Sequence, residues 1–258
     1  MPFELLNYYL RLPVFLMIAA RLFGMIMFQP VLGAKAVPGM VRLLMILALA
    51  LLLSPFVSFA GPLPDTVLGL VLALAGEVLI GALIGLVAAI ALVGVQMGGM
   101  LIALESGLAF GQVADPTTNE TSSVLSTFYV QVLAVVYLIV GGHRALVAAC
   151  LDTFETVPLL AVGGLTGLGT DLLVDTLTVG GIVAIRVAAP AVLSLFLVNA
   201  ALGFLSRTVP QLNIATVGFA LKGLIGFVIM AIALPSALAA FLDGLQLSLG
   251  CLHAMLGG

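Results

Sequence analysis

The sequence predicts an all-α membrane chain, and three observations carry that reading. Only 7% of the residues are charged, against roughly 25% in a soluble domain. The apolar residues, 63% of the 258, are gathered into long runs. The mean hydropathy is +1.37. So few charges cannot cover a water-facing surface, so lipid or neighbouring subunits must do so.

The runs give about six apolar helical segments. The first, 12–32, contains Arg21. Arg42 opens the second, 43–60, which ends at Gly61-Pro62-Leu63-Pro64-Asp65. The third, 67–104, carries Glu77 as its one charge. As a single helix it would span about 57 Å, well beyond the ~30 Å hydrocarbon core. Two outcomes fit: one long projecting helix, or a break near 94–99. The fourth run is 124–140. Residues 141–178 are mixed, with glycines, Pro158 and four acids. The fifth run is 179–205 and the sixth 216–242. The N-terminus, Met1-Pro2-Phe3-Glu4, lacks a basic leader and reads as a retained first segment.

Lys35 and Arg42 lie in the first loop, and Arg207 and Lys222 bracket the last. Six alternating spans then put both basic loops in the cytoplasm and both termini outside, with Arg144 on the wrong side. Gly81-x-x-x-Gly85 and Gly94-x-x-x-Gly98 put small residues on one helical face and predict close helix contact. Trp is absent and the tyrosines are limited to Tyr8, Tyr9, Tyr129 and Tyr137. Such weak aromatic belts favour a surface that meets protein rather than lipid.

One extended polar island interrupts this pattern. Residues 105–123 carry three carboxylates, several hydroxyls and amides, Gly and Pro, and no Lys or Arg. A loop of that length without secondary structure of its own usually has a task. Irregular backbone at membrane depth survives only where protein or a water-filled cavity surrounds it. Leu108, Ala109, Phe110 and Val113 sit among the glycines, and an ordinary solvated loop gains nothing by exposing Phe110. A compact plug would use them as packing and Asp115-Pro116 as a fixed turn.

No pattern of residues points to catalysis. His143 and His253 are isolated, and Cys150 and Cys251 lie far apart in apolar context. The expectation is no enzyme, no metal and no cofactor. Nucleic acid is excluded by the lack of any basic cluster. Charges within membrane segments are costly and often functional, and here they are Arg21, Glu77 and Arg186. Arg21 and Glu77 are expected to pair, a pairing that a rescuing charge swap would test. A secondary transporter using all three is the alternative reading, although the halves show no convincing repeat.

Several stretches are similar to one family. Gly107-Leu108-Ala109-Phe110 followed by Asp115-Pro116 resembles the signature loop of the FliR family, the type III export-gate proteins called SctT in virulence systems. Gly142-His143, then 151–158, then 209–214 through Gly218-Phe219 and Leu221-Lys222, follow at the family's spacing, and 31–42 looks like its first turn. Val113 stands where the family often has a second aromatic, and Ala220 where Pro is usual. The resemblance implies helical hairpins packed into a tower with FliP and FliQ, one copy of this chain per complex, with FlhB as a partner and FlhA nearby. It implies a FliP-like part over 1–178 and a FliQ-like hairpin over 179–258. It makes 105–123 a plug in which Leu108, Phe110 and Val113 seal, Gly107 and Gly111 bend, and Asp115 and Pro116 fix the turn. Pro210, Gln211, Asn213 and Lys222 become the hairpin turn and partner contacts. The implied setting is the flagellar basal body in the bacterial inner membrane, and the cargo is unfolded exported protein.

Overall fold

The computed structural model describes residues 2–34, 37–57, 66–107, 124–160, 165–208 and 214–256. Among them there are seven helices and no strand: α1 Pro2–Phe28, α2 Gly39–Leu53, α3 Val67–Glu105, α4 Val124–Val140, α5 Gly142–Thr156, α6 Leu165–Thr208 and α7 Ile214–Leu256. The protein is an all-α membrane chain.

Helix α3 is continuous through the glycines of 94–99, so of the two outcomes the long helix is realised. Its 39 residues make about 58 Å of helix. Helices α6 and α7 run to 44 and 43 residues and keep Pro190 and Pro235 inside them. Within a membrane chain, neighbouring side chains and local adjustment tolerate such prolines. By length and composition α3, α6 and α7 can each cross a bilayer, and α4 with α5 makes a fourth candidate bent by 60°. The apolar stretches Leu12–Phe28 and Gly39–Leu53 are shorter than the ~20 residues a span needs. Simple six-span alternation is therefore not carried by helix length.

The mixed region holds the helix beyond the six apolar runs, α5. Gly141 starts it at φ 80°, in the left-handed region that glycine adopts without strain. Gly142 lies against the Tyr137 ring, where a Cβ would collide with Cδ2 and Cε2. The α4–α5 bend is thus set by a glycine that can turn and a glycine that leaves room for an aromatic. Leu146, Ala149, Cys150 and Thr153 form the buried face of α5 at helical spacing, while Asp152 and Glu155 face outward.

The chain divides into two compact units, each discontinuous in sequence. Unit 1 comprises 1–89, 137–177 and 247–258. Its core includes Met17, Ile18, Leu22, Met25 and Ile26 of α1 and Ile84, Val87 and Ala88 of α3. Helix α1 lies tightly on α3 through Gly24, Gly81 and Gly85, each too close to the opposite backbone to leave room for a Cβ. Arg42 closes the turn between α1 and α2 by donating from Nη2 to the carbonyls of Ala34 at 2.6 Å and Val37 at 2.8 Å. Cys150 is buried, Cys251 half-buried, and both are free thiols.

Unit 2 comprises 90–136 and 178–246. Gly94 and Gly98 press α3 onto α6 at Gly180, Val183, Ala184 and Val187, and Gly244 lets α7 close over Val183. Tyr129, fully buried, donates its hydroxyl to the Met230 carbonyl at 2.9 Å and ties α4 to α7. Tyr129→Phe keeps the ring and removes that one bond. The expected cost is about 1 kcal/mol, read as a small drop in the melting temperature of the purified protein. Much of the outer face of α6 and α7 is apolar and exposed, including Leu193, Phe196, Leu197, Phe204, Phe227 and Ile232. Lipid or another protein chain must cover such a surface.

Candidate functional site

Two polar centres stand out, one in each unit. In unit 1 it is Arg21, fully buried on α1. Its Nε donates to Glu77 Oε2 at 2.7 Å, and Nη2 approaches the same oxygen at 2.7 Å. Nη1 donates to the Thr153 carbonyl at 3.0 Å and to Thr153 Oγ1 at 3.1 Å, and Nη2 to the Val157 carbonyl at 3.2 Å. The guanidinium carbon lies 4.4 Å from the centre of the Phe154 ring. Glu77 uses its other oxygen, Oε1, to accept the Leu160 N–H at 3.1 Å. Leu160 has φ 73°, a left-handed backbone that a branched residue adopts only at a cost. One ion pair therefore fastens α1 to α3, caps the last carbonyls of α5 with positive charge, and holds the strained turn beyond it.

In unit 2 the polar centre is the place where α3 ends and the island begins. The Ser106 N–H donates to the Ile102 carbonyl at 2.9 Å and the Gly107 N–H to the Leu104 carbonyl at 3.1 Å. Gly107 then turns at φ 79°, the usual glycine stop of a helix. Ser106 and Gly107 are both buried. Asn199 of α6 donates from Nδ2 to Glu105 Oε2 at 3.4 Å. A carboxylate only accepts, so the amide nitrogen must face it. From α7, Gly226 abuts Ser106: a Cβ on residue 226 would stand 2.7 Å from the Ser106 Cβ.

Of the predicted plug residues, Gly107 is thus placed at a buried helix stop. Leu108, Phe110, Gly111, Val113, Asp115 and Pro116 lie outside the described residues, as do Pro210, Gln211 and Asn213. Lys222 is half-buried on α7. Arg186 of α6 is not joined to Arg21 or Glu77; it meets Asp243 of α7 at 3.5 Å, with side chains 55% and 62% exposed, a loose pair on the outer face. Among the described residues no group of three or more His, Cys, Asp or Glu is arranged to hold a metal.

Sequence reasoning missed Thr153, Leu160, Asn199 and Gly226. Thr153 and Leu160 act largely through backbone atoms, which leave no residue-type signal. Gly226 looks like any other helical glycine. Asn199 carries a usable sign, being an amide within the apolar run 179–205.

These features define a class, an all-α membrane protein with a buried ion pair at its core and a polar island that leaves a long helix at a buried glycine stop. Comparison with known sequences narrows it. The sequence model described as bacterial export proteins, family 1, matches residues 12–247. The flagellar biosynthetic protein FliR of Caulobacter vibrioides is 27% identical over 231 residues, covering 88% of this chain and 90% of that protein. FliR of Escherichia coli is 28% identical over 221 residues, covering 83% and 82%. The secretion system apparatus protein SsaT of Salmonella typhimurium is 29% identical over 176 residues, covering 65% and 64%. The chain belongs to this export-protein family, the one that FliR and its secretion-system counterparts share.

Proposed function

We propose that this chain is one subunit of a type III protein-export gate in the bacterial inner membrane, and that 105–123 stoppers the channel through which unfolded subunits leave. The names of the relatives favour a flagellar system, with the basal body as its location. On this reading FliP and FliQ surround the chain, FlhB sits near the hairpin bases and FlhA close by. Residues 1–178 act as the FliP-like part and 179–258 as the FliQ-like hairpin, turning at Pro210, Gln211 and Asn213, with Lys222 as a contact. Leu108, Phe110 and Val113 provide the seal, Gly111 adds bend, and Asp115-Pro116 fixes the turn. The chain does no chemistry, and energy for export comes from other components.

The observation that carries the reading is the buried helix stop at Ser106 and Gly107, next to the exposed Glu105. Glycine stops α3 with Ser106 and Gly107 both buried, and α7 lies against Ser106 at Gly226. A loop meant for bulk water would start at an exposed helix end. In a membrane chain, irregular backbone that starts inside packed helices belongs in a protein-lined space. The transporter alternative needs ionisable groups open to a path, whereas Arg21 and Glu77 are buried and bonded to each other.

Deleting 110–116 is expected to make vesicles that hold the assembled complex leak small ions, with the complex recovered in normal amount. Conductance equal to that of the parent would remove the plug.

A further inference from the structure

We infer that Asn199 and Gly226 are positioning residues of the gate, gripping the last turn of α3 on which the island is mounted. The inference rests on the gate reading and adds to it residues that lie outside the island. Three features support it, all among described residues of unit 2.

The Asn199–Glu105 bond joins α6 to the final residue of α3. The other amide atom, Asn199 Oδ1, is buried and has no partner among the described residues, so Glu105 is the one hydrogen-bond contact seen for this side chain. Asn199 is half-buried and Glu105 exposed, so the bond lies at the edge of the packed helices, and an amide there in an otherwise apolar run is poorly explained by packing alone.

From α7, Gly226 brings its backbone against Ser106. A Cβ at 2.7 Å from Ser106 Cβ meets the stem of a short side chain, which cannot swing away, so the helix end itself must move. Ser106 is fully buried and its Oγ donates to the Ala103 carbonyl at 3.0 Å, a bond that a shift would break. Gly203 on α6 has nothing within 4 Å of its Cβ position, so tight contact is not general to the glycines of these helices.

Two helices thus hold the end of α3, and Gly107 turns the chain there. Releasing either side lets the exit swing and leaves the island badly seated, while the long helices keep their cores. A misplaced stopper raises leak without removing the complex.

The test is small-ion flux from vesicles holding the complete export complex, normalised to complex recovered. Asn199→Leu and Gly226→Ala are each expected to raise flux about tenfold, the size of effect that a modest clash or lost bond has on a two-state equilibrium. Glu105→Leu with Asn199→Leu should leak no more than the worse single change, because the two share one bond. Ser106→Gly should bring the Gly226→Ala flux back to that of Ser106→Gly alone by deleting the colliding Cβ. Gly203→Val serves as the control and stays tight. If the 110–116 deletion leaks while Asn199→Leu and Gly226→Ala stay tight, the grip is overturned and the gate reading stands. If the two changes lower the amount of complex with flux per complex unchanged, they are ordinary packing residues and the inference fails. If the deletion itself does not leak, the gate reading falls and the grip falls with it.

Discussion

Arg21→Leu is expected to remove most of the protein from the membrane, with a loss of stability of about 3–5 kcal/mol, the usual cost of breaking a buried ion pair from one side. Glu77 would keep its charge with only the Leu160 N–H as partner, the Val157 carbonyl would lose the guanidinium, and the Thr153 carbonyl would keep only the Val157 N–H. Against a total stability of roughly 5–15 kcal/mol such a loss takes from about a fifth to all of the margin, and removal of the unfolded fraction by proteases already lowers abundance several-fold at about 1–2 kcal/mol. Glu77→Leu should be similarly severe, because it buries an unpaired guanidinium and frees a turn whose Leu160 is held at φ 73°. The double change to leucine is expected to do better than Arg21→Leu alone, since it leaves neutral groups unpaired rather than a charge. The charge swap that sequence reasoning suggests as a test is expected to fail despite the pair being present. A carboxylate at 21 would face the Thr153 and Val157 carbonyls, acceptor against acceptor, where the guanidinium now donates. Chain abundance in membranes and the melting temperature of the purified complex read these outcomes. Wild-type abundance for Arg21→Leu would contradict the account.

The sequence and structure agree best where composition alone decides. Long runs of apolar residues become long helices because a helix satisfies its backbone polar groups within the segment itself, as lipid requires. Arg21 and Glu77 are visible because charge in an apolar run is rare, and the two sit on elements expected to pack. Gly81-x-x-x-Gly85 likewise announces a close contact, although spacing cannot say which helix fills it. The opposite case is α5. Its acids and His143 hide a buried face that repeats at 146, 149, 150 and 153, so a search for apolar runs passes over it. The ends of α6 and α7 are equally silent, since both helices extend through polar and mixed sequence held by tertiary contact. Arg186 shows the limit of residue type as evidence: it looks like Arg21 in the sequence but ends on an open face with Asp243. What decides between them is which side of the helix each occupies, and that is fixed by partners distant in sequence.

Gly81→Val and Gly24→Val are expected to be as damaging as Arg21→Leu, by way of backbone rather than charge. A Cβ on Gly81 would run into the Arg21 carbonyl oxygen, with the carbonyl carbon at 2.8 Å and the Met25 nitrogen at 2.9 Å. On Gly24 it would strike the Val78 carbonyl oxygen, with the Ala82 nitrogen at 2.8 Å. These neighbours are main-chain atoms of helices, which have no rotamer to change, so α1 and α3 must separate. Overpacking usually costs 1–3 kcal/mol where side chains can give, and here about that much is a lower bound. The separation reaches further, because the Arg21 carbonyl that meets Gly81 belongs to the residue whose side chain binds Glu77, one turn away on α3. Small residues at such crossings are what allow membrane helices to associate, since lipid tails give no hydrophobic drive between them. Even Gly81→Ala should lower the melting temperature sharply. Gly181→Ala, on α6 with nothing within 4 Å of its Cβ position, should be neutral or gain up to about 1 kcal/mol from helix propensity. The pair isolates space from composition, because both changes make the same substitution in a long apolar helix. Equal melting temperatures for the two would mean that α1 and α3 do not approach each other as closely as Gly24 and Gly81 allow.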